Sequence, residues 1–377
     1  MRTALVIGTG LIGTSAALAL ASRGVRVHLR DHDPERARTA AALGAGTDDE
    51  PPGPVDLALV AVPPARITAA VAAAQRQDLA RAYVDVGSVK GALRADLDAH
   101  GCDPTTYLGT HPMAGSEKSG PLAGSADLFE GRPWVLTPTS VTDTEVLNLA
   151  LELVSLCRAV PVVMDADAHD RAVALVSHTP QLLSSMVAAR LENADETAVR
   201  LCGQGIRDVT RIAASDSGMW LDILSANPGP VADVLEELAV DLAGTVRALR
   251  GLESVPAAGT EAADARAGEG AADEDGKAAL ALSDVLRRGR EGSARVPGKH
   301  GQAPAAYETV AVLISDRPGE LARIFADAGA VGVNVEDVRI EHATGRQAGH
   351  VQLMVESRAA QPLAAALRER GWALRTE

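Results

Sequence analysis

The sequence predicts three parts in series: an α/β domain on a parallel sheet over residues 1–164, an all-α domain over 165–303, and a small β-α-β-β-α-β unit of ferredoxin-like order over 305–377. Three observations carry this reading. Short aliphatic runs alternate with helical patterns as far as Asp165, as in a parallel sheet crossed by helices. Strand signal then disappears, and Leu and Ala recur at helical spacing. Beyond Tyr307 strands return, in the order β-α-β-β-α-β. A chain of 377 residues has room for this division, with a core in each part.

The elements follow in order. Thr3–Ile7 reads as a strand that runs into Gly8-Thr9-Gly10-Leu11-Ile12-Gly13 and a helix over Thr14–Ser22. This start imitates a secretory leader, but strand, turn and helix together account for every glycine. Val25–Leu29 is a second strand, and Asp33 caps a helix with Pro34 in its first turn. Leu57–Val62 and Tyr83–Val86 are strands closed by Pro63-Pro64 and Gly87-Ser88; Trp134–Thr137 and Val160–Met164 are two more. Ala168–Glu192 reads as one long helix with an interruption near Pro180, followed by helical Glu196–Ser215, Pro230–Leu249 and Ala278–Arg288. Residues 254–276 are rich in Ala, Gly and acids, with little to bury, and read as a flexible loop. In the last unit the strands are Thr309–Ser315, Asn334–Glu341, His350–Glu356 and Trp372–Leu374, and helices follow the Asp316–Leu321 turn and Gln361.

Composition narrows the function. Apolar residues make up 46% and charged residues 23%, an ordinary globular balance. With 36 Lys and Arg against 50 Asp and Glu, a net charge of -14 and 2% aromatics, the chain argues against basic nucleic-acid or membrane surfaces and against base-stacking platforms. No apolar run approaches the ~20 residues of a spanning helix. Cys102, Cys157 and Cys202 are far apart and show no metal-type spacing, which points to a reducing, cytoplasmic setting and no metal site.

Five segments carry chemistry. Gly8, Gly10 and Gly13, with Leu11 and Ile12 between them, sit where a strand opens into a helix. Such glycines allow a tight turn and close approach to a pyrophosphate. Asp31 ends the second strand, where an acid accepts hydrogen bonds from a ribose. That favours NAD over NADP, although Arg30 stands beside it. Ser88, in Asp85-Val86-Gly87-Ser88-Val89-Lys90, lies at the carboxyl end of a strand; it is either a ligand contact or a plain polar turn. His111 sits on a Gly/Pro-rich segment near the expected crevice, as a proton acceptor or as a surface histidine. His178 stands beside Pro180 inside a helix, either shaping a site or as a buried structural histidine. Asp208 and Arg211 fall one helical turn apart, before Trp220. Arg211 is either a carboxylate clamp or half of a surface ion pair.

Taken in order, GTGLIG at 8–13, DVGSVKG at 85–91, GTHPMAGSE at 109–117, SHTP at 177–180 and RDVTRIAASDSGMW at 207–220 make the chain similar to the prephenate/arogenate dehydrogenase family of tyrosine biosynthesis. The last unit resembles an ACT domain, an amino-acid-binding regulatory module. The resemblance implies that His111 bonds the ring hydroxyl of the substrate, and that Ser88 orients both. It implies that Arg211 holds a substrate carboxylate, that His178, Gln181 and Trp220 line the same pocket, and that Glu117 and Asp208 join an ionic network at its entrance. It implies NAD on the glycine turn, a homodimer built by the helical domain, and tyrosine as effector. Gln181 stands where the family often has a second His, and Leu221 where it often has Arg. The implied reaction is oxidative decarboxylation of prephenate to 4-hydroxyphenylpyruvate, with arogenate as the alternative substrate. Two other readings compete. A β-hydroxyacid-type dehydrogenase usually needs a helical-domain lysine, and residues 165–250 contain no Lys. A non-catalytic NAD and amino-acid sensor is the other.

Overall fold

A computed structural model describes the chain except for residues 116–118, 254–268, 297–306, 316, 318, 343–347 and 375–377. It forms two units, Met1–Val285 and Leu286–Glu377.

The first unit begins with β1 (Thr3–Ile7), α1 (Leu11–Ala21), β2 (Arg26–Arg30), α2 (Pro34–Ala42), β3 (Val55–Val60), α3 (Ile67–Arg76), β4 (Ala80–Asp85), α4 (Gly91–Ala99), β5 (Tyr107–Pro112), β6 (Pro133–Thr137), α5 (Thr144–Leu156) and β7 (Val160–Val163). Asp33 caps α2 through Glu35 N, with Pro34 in the first turn. The sheet order is β2-β1-β3-β4-β5-β6-β7. The order reverses between β1 and β3, and open α/β sheets bind ligands beyond the carboxyl ends of strands at such a point. Leu57, Leu59 and Val84 on the central strands are 0% exposed, and each such aliphatic contributes about 1.5–3 kcal/mol.

Two expectations for this domain change. The sheet is parallel only through β5; β6 runs antiparallel to β5, and β7 is parallel to β6. A parallel pair needs a crossover, and among the described residues the β5–β6 connection has no α-helix, only a short turn of helix at Pro121–Ala123. The Gly/Pro-rich segment around His111 is a strand, β5. Pairing on both sides, Val84 with Leu108 and Val135 with His111, overrides its weak local propensity.

The helical part comprises α6 (Ala166–Val173), α7 (Thr179–Ala189), α8 (Glu196–Arg200), α9 (Gln204–Ala213), α10 (Ser217–Ala226), α11 (Pro228–Glu253) and α12 (Glu269–Ala294). α6 and α7 join through a π turn at Ala174–His178, which absorbs Pro180 without ending the helix. The joined helix, Ala166–Ala189, has 24 residues, and an 18-residue stretch of it reaches a mean hydropathy of 1.2, long and apolar enough by length and composition to cross a membrane. One face buries Asp170, His169 and His178, all hydrogen-bonded, while Leu175, Val176 and Met186 stay exposed on the other. The helical stretch expected over Glu196–Ser215 divides into two helices, because Gly203 adopts an extended conformation and caps α9. The loop expected over 254–276 ends earlier: from Glu269 the chain is helical. Residues 254–268 lie outside the described residues.

The second unit holds β8 (Tyr307–Ser315), α13 (Glu320–Ala330), β9 (Asp337–His342), β10 (Ala348–Glu356), α14 (Ser357–Glu369) and β11 (Ala373–Leu374). Its antiparallel sheet has the order β11-β8-β10-β9. Val312, Val351 and Leu353 pack with Ile324, Leu363, Leu367 and Trp372 into a separate core. Asp316 and Pro318 of the expected turn lie outside the described residues.

Candidate active site

The glycine turn brings backbone into close contact and leaves the start of α1 open. Gly8 has φ +101, and a Cβ there would stand 2.4 Å from Ala61 O; a Cβ at Gly13 would stand 1.9 Å from Gly8 O. Both positions therefore require glycine for packing. At Gly10 a Cβ would meet no protein atom within 4 Å, and Gly10 caps α1 without a side-chain bond, so this end of the helix stays open. Leu11 and Ile12 form its first turn. The Asp31 carboxylate closes the crevice, accepting from Thr9 N at 2.7 Å, Thr9 Oγ1 at 2.9 Å and Asp33 N at 3.0 Å. Burial would raise its pKa, but these bonds and His32 outweigh it and hold the carboxyl below the usual range. Arg30 is ion-paired with Glu50.

Beyond this crevice lies a buried polar network. Asp85, 0% exposed, ends β4; Lys90, 2% exposed, lies just before α4. Lys90 Nζ donates to Asp85 Oδ1 and to Thr110 O, and Tyr107 donates its hydroxyl to Asp85 Oδ2. Trp134 Nε1 donates to Thr110 Oγ1 at 2.9 Å. The network fixes the strand that presents His111.

His111 is partly exposed, and its Nδ1 stands 2.9 Å from Nε2 of His169, which is 1% exposed. His169 Nδ1 in turn stands 2.8 Å from Asp170 Oδ1. Asp170 also accepts from Lys90 N at 2.9 Å and Gly91 N at 2.8 Å, so an α6 carboxylate caps α4 of the sheet domain. Burial, then Lys90 and the two other histidines, hold the His111 pKa well below its ordinary value, so the imidazole is neutral. His178 is 1% exposed, and burial takes its pKa down to about 4. Asn227 Nδ2 donates to Asp170 O at 2.9 Å, which fixes the amide orientation, and the same nitrogen lies 3.2 Å from His178 Nδ1. That nitrogen therefore accepts, and His178 carries its proton on Nε2. Trp220 meets the His178 ring edge-on at 6.1 Å, with its indole N–H buried and unpartnered among the described residues; the Thr179 hydroxyl is in the same state.

The other expected residues divide. Ser88 is partly exposed on the turn after β4 and makes no hydrogen bond to His111. The group that holds His111 is His169. Gln181 is buried on α7, one turn from His178. Arg211 is exposed, and Asp208 accepts from Gln204 Nε2 at 2.9 Å, so the two make no ion pair. Glu117 lies outside the described residues. No group of three potential ligands could hold a metal ion among the described residues.

Sequence reasoning missed Asp85, Lys90, Tyr107, His169, Asp170 and Asn227. Two signals were available: the acid and base that bracket Asp85-Val86-Gly87-Ser88-Val89-Lys90, and an adjacent His–Asp pair on a helix facing a sheet.

With this geometry in place, comparison with known proteins decides the family. The nucleotide-binding domain model of prephenate dehydrogenase matches residues 16–163, and the prephenate dehydrogenase dimerization domain model matches 165–251. The chain belongs to the prephenate dehydrogenase family. It is 45% identical to a probable prephenate dehydrogenase, NovF, of Streptomyces niveus, over 99% of each chain. It is 34% identical to a cyclohexadienyl dehydrogenase of Zymomonas mobilis, over 63% of this chain and 85% of that one. Among solved structures, prephenate dehydrogenase from A. aeolicus in complex with hydroxyphenyl propionate and NAD+ has a TM-score of 0.60 at 28% identity, covering 67% of this chain and 93% of that chain.

Proposed function

We propose that the chain is an NAD-dependent prephenate dehydrogenase, converting prephenate to 4-hydroxyphenylpyruvate and CO2. The observation that carries this reading is His111, a neutral imidazole held through one ring nitrogen with the other left for substrate. NAD+, when bound, supplies the hydride acceptor. The residues that fit it are the Gly8–Gly13 turn, the open end of α1 and Asp31. Asp31 sets a negative charge where a 2′-phosphate would lie, and Arg30 is committed to Glu50, so NAD+ is preferred to NADP+.

His111 accepts the ring hydroxyl proton at Nε2 as the carbinol hydride departs. Loss of the ring carboxylate as CO2 then makes the ring aromatic, which drives the reaction. The protein positions the substrate and removes one proton. Ser88 hydrogen-bonds the same hydroxyl. His178 donates from Nε2, and with Gln181 and Trp220 it lines the side-chain end of the pocket. Arg211 holds a carboxylate, with Glu117 and Asp208 near the entrance. Arg211 is exposed in the single chain and α9 buries none of its residues, which supports a homodimer whose partner completes each site. The test is stoichiometry: one NADH and one CO2 per prephenate consumed support the assignment, and NADH without CO2 refutes it.

The second unit is proposed as an ACT-type regulatory module that binds tyrosine. Its β-α-β-β-α-β order and separate core support this. Removing residues 307–377 is expected to leave an active dehydrogenase that has lost tyrosine inhibition; equal inhibition in both forms would place tyrosine in the active site instead.

A further inference from the structure

Resting on the function proposed above, we infer that His169 and Asp170 are positioning residues: a relay from Asp170 through His169 fixes the proton of His111 on Nδ1 and leaves Nε2 free for the substrate hydroxyl.

The direction follows from donors and acceptors. The Asp170 carboxylate takes backbone N–H groups on both oxygens, so it is an acceptor. The bonds from His169 and the two backbone donors outweigh burial and keep it ionised. The His169 Nδ1 facing it at 2.8 Å must then carry a proton. In a neutral His169 the other nitrogen, Nε2, is an acceptor. It faces His111 Nδ1 at 2.9 Å, so that nitrogen donates. A neutral His111 with its proton on Nδ1 has its lone pair on Nε2.

The groups acting on His111 come from three elements: His169 on α6, Lys90 before α4, and His178 in the π turn. In the reaction the substrate O–H bond breaks and an Nε2–H bond forms on His111, while the carbinol hydrogen leaves with its electron pair to NAD+. The imidazolium keeps its Nδ1–H on His169, and no proton need pass to Asp170. Because Asp170 also caps α4, two residues beyond Ser88, one carboxylate of the helical domain orients the base and holds the turn that carries Ser88.

The experiment compares the full-length wild type with His169→Leu, His169→Gln and Asp170→Asn. It measures kcat, KM, NAD+ affinity and, by 15N NMR of labelled histidine without substrate, the His111 tautomer. The wild type is expected to show His111 protonated on Nδ1. His169→Leu should lower kcat ~10-fold or more while KM for prephenate stays within about three-fold, since a tautomer error affects the proton-transfer step. His169→Gln, whose carbonyl can accept from Nδ1–H, should recover most of kcat, and Asp170→Asn should fall between. Wild-type His111 protonated on Nε2, or full kcat in His169→Leu, would overturn the relay. If His169→Leu fails to fold, the wild-type tautomer and His169→Gln decide. The tautomer is read without turnover, so failure on both prephenate and arogenate would sink the proposed function and leave the relay separately measured.

Discussion

The sheet domain and the helical domain solve burial in opposite ways. In the sheet domain the strand leucines are spent internally: Leu5, Leu57, Leu59, Leu108 and Leu136 are all within 1% of full burial. In the helical domain Leu175, Val176, Met186, Met219, Leu221, Val240 and Leu242 all stay exposed, between 45% and 71%. Arg211, expected to hold substrate, lies on the same unburied helices. The proposed nucleotide contacts thus all lie in the well-buried domain, whereas the proposed substrate residue Arg211 shares a domain with a large exposed apolar surface. Mutations should separate the two regions.

The largest effect is expected at their seam. His111→Asn should lower kcat about 10²–10⁴-fold with NAD+ affinity nearly unchanged, as steady-state kinetics and nucleotide titration would show. Arg211→Ala comes next. Losing a charge-assisted carboxylate contact should raise KM for prephenate about 10²-fold and leave KM for NAD+ alone. An unchanged prephenate KM would make Arg211 a plain surface residue. Val176→Glu, on the exposed face of the Ala166–Ala189 helix, should shift the chain toward monomer in sedimentation and lower turnover while NAD+ still binds.

The same contrast explains what could be read from sequence. The glycine turn, Asp31 and the Asp33-Pro34 cap are local: each residue acts within a few positions of itself, so spacing reveals it. His111 was found as a residue but misplaced on a loop, because β5 is a strand only through pairing with β4 and β6. Asp170 acts on Lys90 N, 80 residues away in sequence, and His169 on His111, 58 away; no local pattern announces a partner at that distance. For Arg211 the spacing left two readings, a carboxylate clamp or a surface pair with Asp208; Gln204 donates to that Asp208 carboxylate.

A smaller effect concerns pH. His178 titrates near 6.5 when unfolded and near 4 when folded, so the fold favours its neutral form. Stability is therefore full above pH 6.5 and falls as pH drops toward 4, by about 3 kcal/mol for this one group. His111 acts in the same direction. Denaturant midpoints measured across that range should show the loss, and His178→Phe should flatten it.

The central claim is that this site takes prephenate. The direct measurement is the initial rate of NADH formation from the full-length enzyme and NAD+, with prephenate and with arogenate at matched concentrations. A prephenate-dependent rise in absorbance at 340 nm, with kcat/KM above that for arogenate and no rise without substrate, is the predicted result. Turnover of arogenate alone would reassign the substrate, and no NADH with either would contradict the account.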